Sequence, residues 1–231
     1  MSEPEQKSAL IVGASRGLGL GLAKELLERG WRVTATVRGA AKGTGLEPYH
    51  GRVTLDTVDI NNGAMVDAFV NRVKDEVFDV VFINAGVGGP NGKTVETVTT
   101  DEMTHTFLTN AISPIRLANK LAPTVKRGSG ILALMSSILG SVAGNDHNWA
   151  PIYSASKAAL NSLTRGFVSE MKGEDFTVLT VHPGWVRTDM GGANADIDVE
   201  TSVRGIADVL DAQAGAGGHQ FLDYRGETIP W

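Results

Sequence analysis

SALIVGASRGLGLGLAKELLERG, residues 8–30, is the stretch whose reading decides the fold. Ser8 to Ala14 is a short apolar run of the kind that makes a strand buried on both faces. It runs directly into glycines at 13, 17 and 19, and then into an amphipathic helical pattern that closes at Gly30. A strand, a glycine turn and a helix in that order build an anion site. Glycine allows the backbone to approach a ligand closely, and the helix N-terminus offers unpaired N–H groups to a pyrophosphate. A glycine turn alone is weak evidence; its flanking strand and helix give it weight.

Working outward, the alternation repeats. Trp31 to Val37 reads as the second strand, and no acid follows it before Leu46. An acid there commonly holds the ribose 2′-hydroxyl of NAD. Here Arg38 closes the strand and Arg16 sits inside the glycine turn. Two guanidiniums with no competing carboxylate suit a 2′-phosphate and favour NADP(H), against the alternative of two solvated surface arginines. Arg52 to Val58 is a third strand, with Asp59 and Ile60 placed at its end where an adenine would lie. Residues 61–76 form a helix with an apolar stripe of Ala64, Phe69, Val70 and Val73. Phe78 to Ile83 is a fourth strand running into Asn84, Ala85 and Gly86.

Further strands are expected at 129–136, 176–181 and 220–223, with helices near 153–171 and 199–212. Such alternation predicts one α/β domain over residues 8–231, a Rossmann-type doubly wound parallel sheet with helices on both faces. Its ligand would lie at the strands' C-terminal ends. Residues 1–7 are expected to be a flexible tail.

The chain has 231 residues, 42% of them hydrophobic and 20% charged, ordinary values for one globular domain. A net charge of −5 argues against nucleic acid or an anionic membrane as partner. No cysteine is present, which excludes disulfides and thiolate sites and fits a cytoplasmic location. The start is neither a signal peptide nor apolar, no run approaches spanning length, and the histidines lack metal-ligand spacing.

The chemistry is expected between Ser137 and Lys157, SILGSVAGNDHNWAPIYSASK. A helix entered near Pro151 puts Tyr153 and Lys157 on one face, four residues apart. Bringing a phenol from a pKa of about 10 to about 7 requires roughly 4 kcal/mol. One ammonium at ~5 Å, with an effective dielectric of ~20, supplies about 3 kcal/mol. An oxidised nicotinamide would close the gap. Ser137 could then hold a substrate oxygen while Tyr153 gives or takes its proton. The alternative is a solvated helix pair. Upstream, Pro114 interrupts the helix expected within 99–126 and deprives the Asn110 carbonyl of its helical partner. An ordered water linking Asn110 to Lys157 would satisfy it, the alternative being a plain kink.

Together these residues resemble the short-chain dehydrogenase/reductase family across residues 8–231. The resemblance rests on Gly13, Gly17 and Gly19, on Asn84-Ala-Gly, on Asn110, Ser137, Tyr153 and Lys157, and on Pro183-Gly184 with Thr188. More narrowly, SSILGS, HPGWVRTDMGG and FLDYRGETIPW look like the branch of sniffer and C-factor carbonyl reductases. The resemblance implies a seven-stranded sheet and a catalytic set of Asn110, Ser137, Tyr153 and Lys157. It also implies cofactor contacts from Gly13, Ser15, Arg16, Gly17, Leu18, Gly19, Arg38, Asp59, Ile60, Asn84, Ala85, Gly86, Tyr153, Lys157, Pro183, Gly184, Val186 and Thr188. Val12, where the family often has threonine, and Ile83, in place of an asparagine, depart from its pattern at structural positions.

The expected activity is NADPH-dependent reduction of an aldehyde or ketone by hydride transfer, with Tyr153 as general acid. The alternatives are a non-catalytic NADP(H)-binding sensor and an NAD-dependent alcohol dehydrogenase. The partner is a small carbonyl or alcohol, in a pocket expected to be open and lined by Leu139, Trp149, Trp185 and Met190. The resemblance also implies a homodimer or homotetramer through the two long helices.

Overall fold

The structure is a computed structural model describing residues 6–39, 45–49, 51–146, 150–171 and 175–231. Seven strands form one parallel sheet in the order β3-β2-β1-β4-β5-β6-β7. The strands are β1 Ser8–Val12, β2 Arg32–Val37, β3 Val53–Thr57, β4 Val80–Ile83, β5 Ile131–Met135, β6 Thr177–His182 and β7 His219–Asp223. The helices are α1 Gly17–Glu28, α2 Gly63–Val73, α3 Thr100–Phe107, α4 Ser113–Leu121, α5 Pro151–Glu170 and α6 Val199–Gln213. Strand order reverses between β1 and β4, and a doubly wound sheet opens its crevice at that point.

Every residue of β1 is buried because the strand serves two cores. Ala9 and Ile11 join Leu22, Leu26 and Leu27 of α1 and Ile206 and Leu210 of α6 on one face. Leu10 and Val12 join Phe69 of α2, Leu117 and Leu121 of α4 and Leu160 and Phe167 of α5 on the other. Successive strand residues point to opposite faces, so a central strand with helices on both sides has no polar face to show.

Three expectations change. Ala64 is exposed, and Val66 completes the α2 stripe with Phe69 and Val73; Asn62, accepting from the Met65 N–H, starts the helix two residues later than 61 and sets that register. Lys7 is tied down at the edge of the expected tail, with Nζ 2.8 Å from Asp211 and 5.0 Å from the Trp31 ring centroid, while residues 1–5 lie outside the described residues. Both partners are distant in sequence, and no local pattern reveals them. Third, the helix expected within 99–126 is not simply kinked. A π-helical turn, Leu108–Ile112, separates α3 from α4 immediately before Pro114. Proline cannot donate in the ladder, and a π turn absorbs the misfit by one extra residue.

Candidate active site

The crevice beside β1 and β4 is a cleft of about 400 Å³. Its floor is the glycine turn. Gly13 adopts φ 90° and lies so close to the end of β4 that a Cβ there would stand 2.9 Å from the Ala85 backbone. At Gly19 a Cβ would overlap the Gly13 carbonyl oxygen, so only glycine lets α1 seat on the turn. The Asn84 amide donates to that carbonyl at 2.9 Å, and the Gly13 N–H donates to the Thr36 hydroxyl at 3.2 Å. Thr36, on the neighbouring strand, thus serves the turn, while Val12 and Ile83 lie in the core.

The cleft is lined by Ser15, Arg16, Gly17, Leu18, Arg38, Asp59, Ile60 and Asn61. Arg16 donates to Asp189 at 3.1 Å, which corrects the expectation of no competing carboxylate near the two arginines. Asp189 follows β6, 173 residues away in sequence, so the search confined to the β2 region could not meet it. Both side chains are largely exposed, 71% and 79%.

The cleft is also bordered by Asn84, Ala85, Gly86, Tyr153, Lys157, Pro183, Thr188 and Met190. Met135 ends β5, and the chain turns through Ser137 into a short 3-10 turn, Ile138–Gly140. The Ser137 hydroxyl accepts from the Leu139 N–H at 3.2 Å and lies within reach of the Tyr153 phenol. Pro151 opens α5 in the first turn, where its missing N–H costs nothing. Tyr153 and Lys157 then share a helix face, with the ammonium 5.8 Å from the phenol ring centroid.

Lys157 is 4% exposed and donates to the Met135 carbonyl at 2.8 Å. Burial lowers its pKa to about 8. The phenol of Tyr153 departs from the expected value near 7: burial raises it to about 12, with Ser137 acting in the opposite direction. Desolvation penalises the phenolate more than the Ser137 hydrogen bond favours it. In this state the phenol holds its proton.

Asn110 sits in the π turn and is completely buried. Its amide donates to the Val87 carbonyl at 2.8 Å and to Ser156 at 3.0 Å, and its Oδ1 accepts from the Val87 N–H at 2.8 Å. Ser156 in turn donates to the Tyr153 carbonyl at 2.7 Å. A Cβ on Gly86 would stand 3.2 Å from Asn110 Oδ1 and 3.6 Å from Lys157 Nζ, so that backbone passes between the two. Asn110 therefore anchors the loop after β4 to the helix that carries the tyrosine.

Other expected residues are placed differently: Ser137 and Asn110 do not border the cleft, whereas Ser136 does. Gly19 and Gly184 lie behind the cleft wall, with Gly184 (φ 83°) making room for Ile197 and Tyr224. Val186 is buried and bridges to Ile197. Of the four substrate-side residues, Met190 borders the cleft. Leu139 and Trp185 stand outside its wall, the indole donating to the Gly191 carbonyl at 2.9 Å, and Trp149 lies outside the described residues. The sequence reading missed Thr109, which borders the cleft and accepts from Asn61 at 2.8 Å. It also missed Thr36, Ser156 and Asp189; their roles depend on pairings 23, 46 and 173 residues apart and leave no local signal. Among the described residues no group of three or more His, Asp or Glu could hold a metal ion.

A family model for short chain dehydrogenases matches residues 7–197. The C-signal protein of Myxococcus xanthus is 36% identical over 165 residues, covering 71% of this chain and 99% of that protein. A Burkholderia multivorans structure described as a short-chain dehydrogenase/reductase with bound NADP superimposes with a TM-score of 0.93 at 40% identity, over 98% of this chain and 100% of that one. A carbonyl reductase of Pseudomonas aeruginosa in complex with NADP gives 0.90 at 39% identity, over 98% and 100% of the two chains.

Proposed function

From the premise that the chain belongs to the short chain dehydrogenase family, we propose that it reduces an aldehyde or ketone to the alcohol with NADPH as reductant. The observation that carries this reading is the meeting of Ser137 with Tyr153 and Lys157, the last two bordering the same cleft as the glycine turn, Arg16 and Arg38. The NADP in two similar structures and the carbonyl reductase among them support it.

The cleft's residues fit such a dinucleotide. Gly13 lets the turn pack closely against the end of β4, and the N-terminal N–H groups of α1 suit a pyrophosphate. Arg38 directly follows β2 where an acid would oppose a 2′-phosphate, and Arg16 borders the same cleft. Of the cleft's residues, Asp59 and Ile60 would hold the adenine and Thr188 and Pro183 the nicotinamide. When bound, NADPH supplies the hydride that reduces the carbonyl carbon.

The chain's own groups handle the oxygen. Ser137 donates a hydrogen bond to it and Tyr153 delivers the proton, which suits a phenol that burial keeps protonated. Lys157, mainly cationic with a pKa of about 8, stabilises the phenolate left behind. A water between Asn110 and Lys157 returning a proton, and a homodimer or homotetramer through α4 and α5, belong to the same proposal.

The test is NADPH consumption by the purified protein with diketones, quinones and aldehydes. Tyr153→Phe is expected to lower turnover by at least ~100-fold with NADPH affinity retained; full turnover in that variant sinks the mechanism. Tight NADPH binding with no consumption across the panel favours a sensor instead.

A further inference from the structure

Ser137 is held from both sides by one amide. Asn161, 4% exposed, lies on α5 one turn beyond Lys157. Its Oδ1 accepts from the Ser136 hydroxyl at 2.7 Å, and its Nδ2 donates to the Gly140 carbonyl at 3.0 Å. These two partners bracket Ser137: one precedes it, the other ends the 3-10 turn that follows. The turn also rests directly on the helix, since a Cβ at Gly140 would come within 2.8 Å of the Lys157 backbone.

Each bond is fully buried, with Ser136 and Gly140 as inaccessible as Asn161. Burying a polar group without a partner is costly, so the pairing strongly favours one placement of the turn. Reach and orientation of Ser137 toward Tyr153 follow from where the turn sits along α5. The same helix carries the tyrosine, the lysine and the asparagine, so the three are fixed in one rigid frame. Asn161 touches neither Ser137 nor Tyr153 in any hydrogen bond, and it does not border the cleft.

We propose that Asn161 is a positioning residue, which sets the alignment of Ser137 with Tyr153 by clamping the backbone on either side of the serine. The proposal deepens the carbonyl reductase reading and rests on it for its kinetic consequence. Its geometric claim concerns the Ser137–Tyr153 contact and is measurable without turnover.

The experiment uses the purified full chain, Asn161→Leu, Ser137→Ala and their double variant, with Asn161→Asp in parallel. Asn161→Asp keeps the acceptor for Ser136 and loses the donor to Gly140, so it serves if the leucine variant fails to fold. With a ketone that the wild type reduces, Asn161→Leu is expected to lower kcat by about 10- to 100-fold, the scale of a small misplacement at a reacting centre. NADPH affinity, measured by direct binding, should stay within twofold. The decisive feature is the cycle: added to Ser137→Ala, the Asn161 change should cost little more, because its effect passes through the serine. Losses that multiply, or kcat within twofold of wild type in Asn161→Leu, overturn the proposal.

A second readout is the NMR signal of the Tyr153 ring carbon bearing the hydroxyl, in protein labelled at that carbon and assigned with Tyr153→Phe. Ser137→Ala should displace it, and each Asn161 variant should displace it in the same direction. An unmoved signal in a folded Asn161 variant overturns the proposal. If the wild type reduces no carbonyl, the functional reading fails while this signal still decides the positioning claim.

Discussion

Tyr153 illustrates how a site is tuned by more than its nearest charge. A lysine four residues away was expected to draw the phenol toward neutrality, yet its ammonium donates to the Met135 carbonyl and burial dominates. Arg16 and Asp189 pose a second question at this scale. If Arg16 receives a 2′-phosphate, the phosphate must compete with the carboxylate already 3.1 Å from the guanidinium. Exposed pairs of this kind are worth up to ~1 kcal/mol, so Asp189→Asn should tighten NADPH binding by at most about fivefold and leave NADH binding unchanged. Titration calorimetry with both nucleotides checks this, and the NADPH gain should shrink at high salt. Equal gains for both nucleotides would show that the aspartate acts on something other than the phosphate.

At the scale of elements, the glycine turn and the π turn each solve a packing problem at the cleft. α1 can seat on the turn because Gly19 has no Cβ to meet the Gly13 carbonyl. Gly19→Ala should therefore push the helix off its seat, where overpacking typically costs 1–3 kcal/mol. A fall in Tm together with at least tenfold weaker NADPH binding is the expected result; a variant with wild-type affinity would show that the turn tolerates the shift. The π turn was only half legible. Pro114 announced an interruption, but the extra residue and the inward aim of Asn110 depend on Val87 and Ser156, which sequence distance conceals.

For the molecule as a whole, two histidines on adjacent edge-side strands bear on acid stability. His182 ends β6 and His219 begins β7, and burial lowers each to about 4 from 6.5. Below pH 6.5 the unfolded chain takes up these protons while the folded one does not, so stability falls as pH drops from 6.5 toward 4. His182→Asn should flatten that limb of Tm against pH; an unchanged slope would show that the imidazole is protonated in the fold.

The sequence alone determined the order of strands and helices, because hydrophobic period and glycine spacing are local and the parallel connection has one favoured hand. It likewise marked Ser137, Tyr153 and Lys157, since strand ends and a four-residue helical step place them without reference to distant residues. Only the tertiary structure decided which partners complete them: Asp189 on Arg16, Thr36 beneath Gly13, Ser156 under Asn110 and Asn161 around Ser137. Those pairings join segments that the chain separates and packing alone brings together, and burial, which sets the ionisation of Tyr153, Lys157 and the two histidines, exists only once the sheet and its helices have closed.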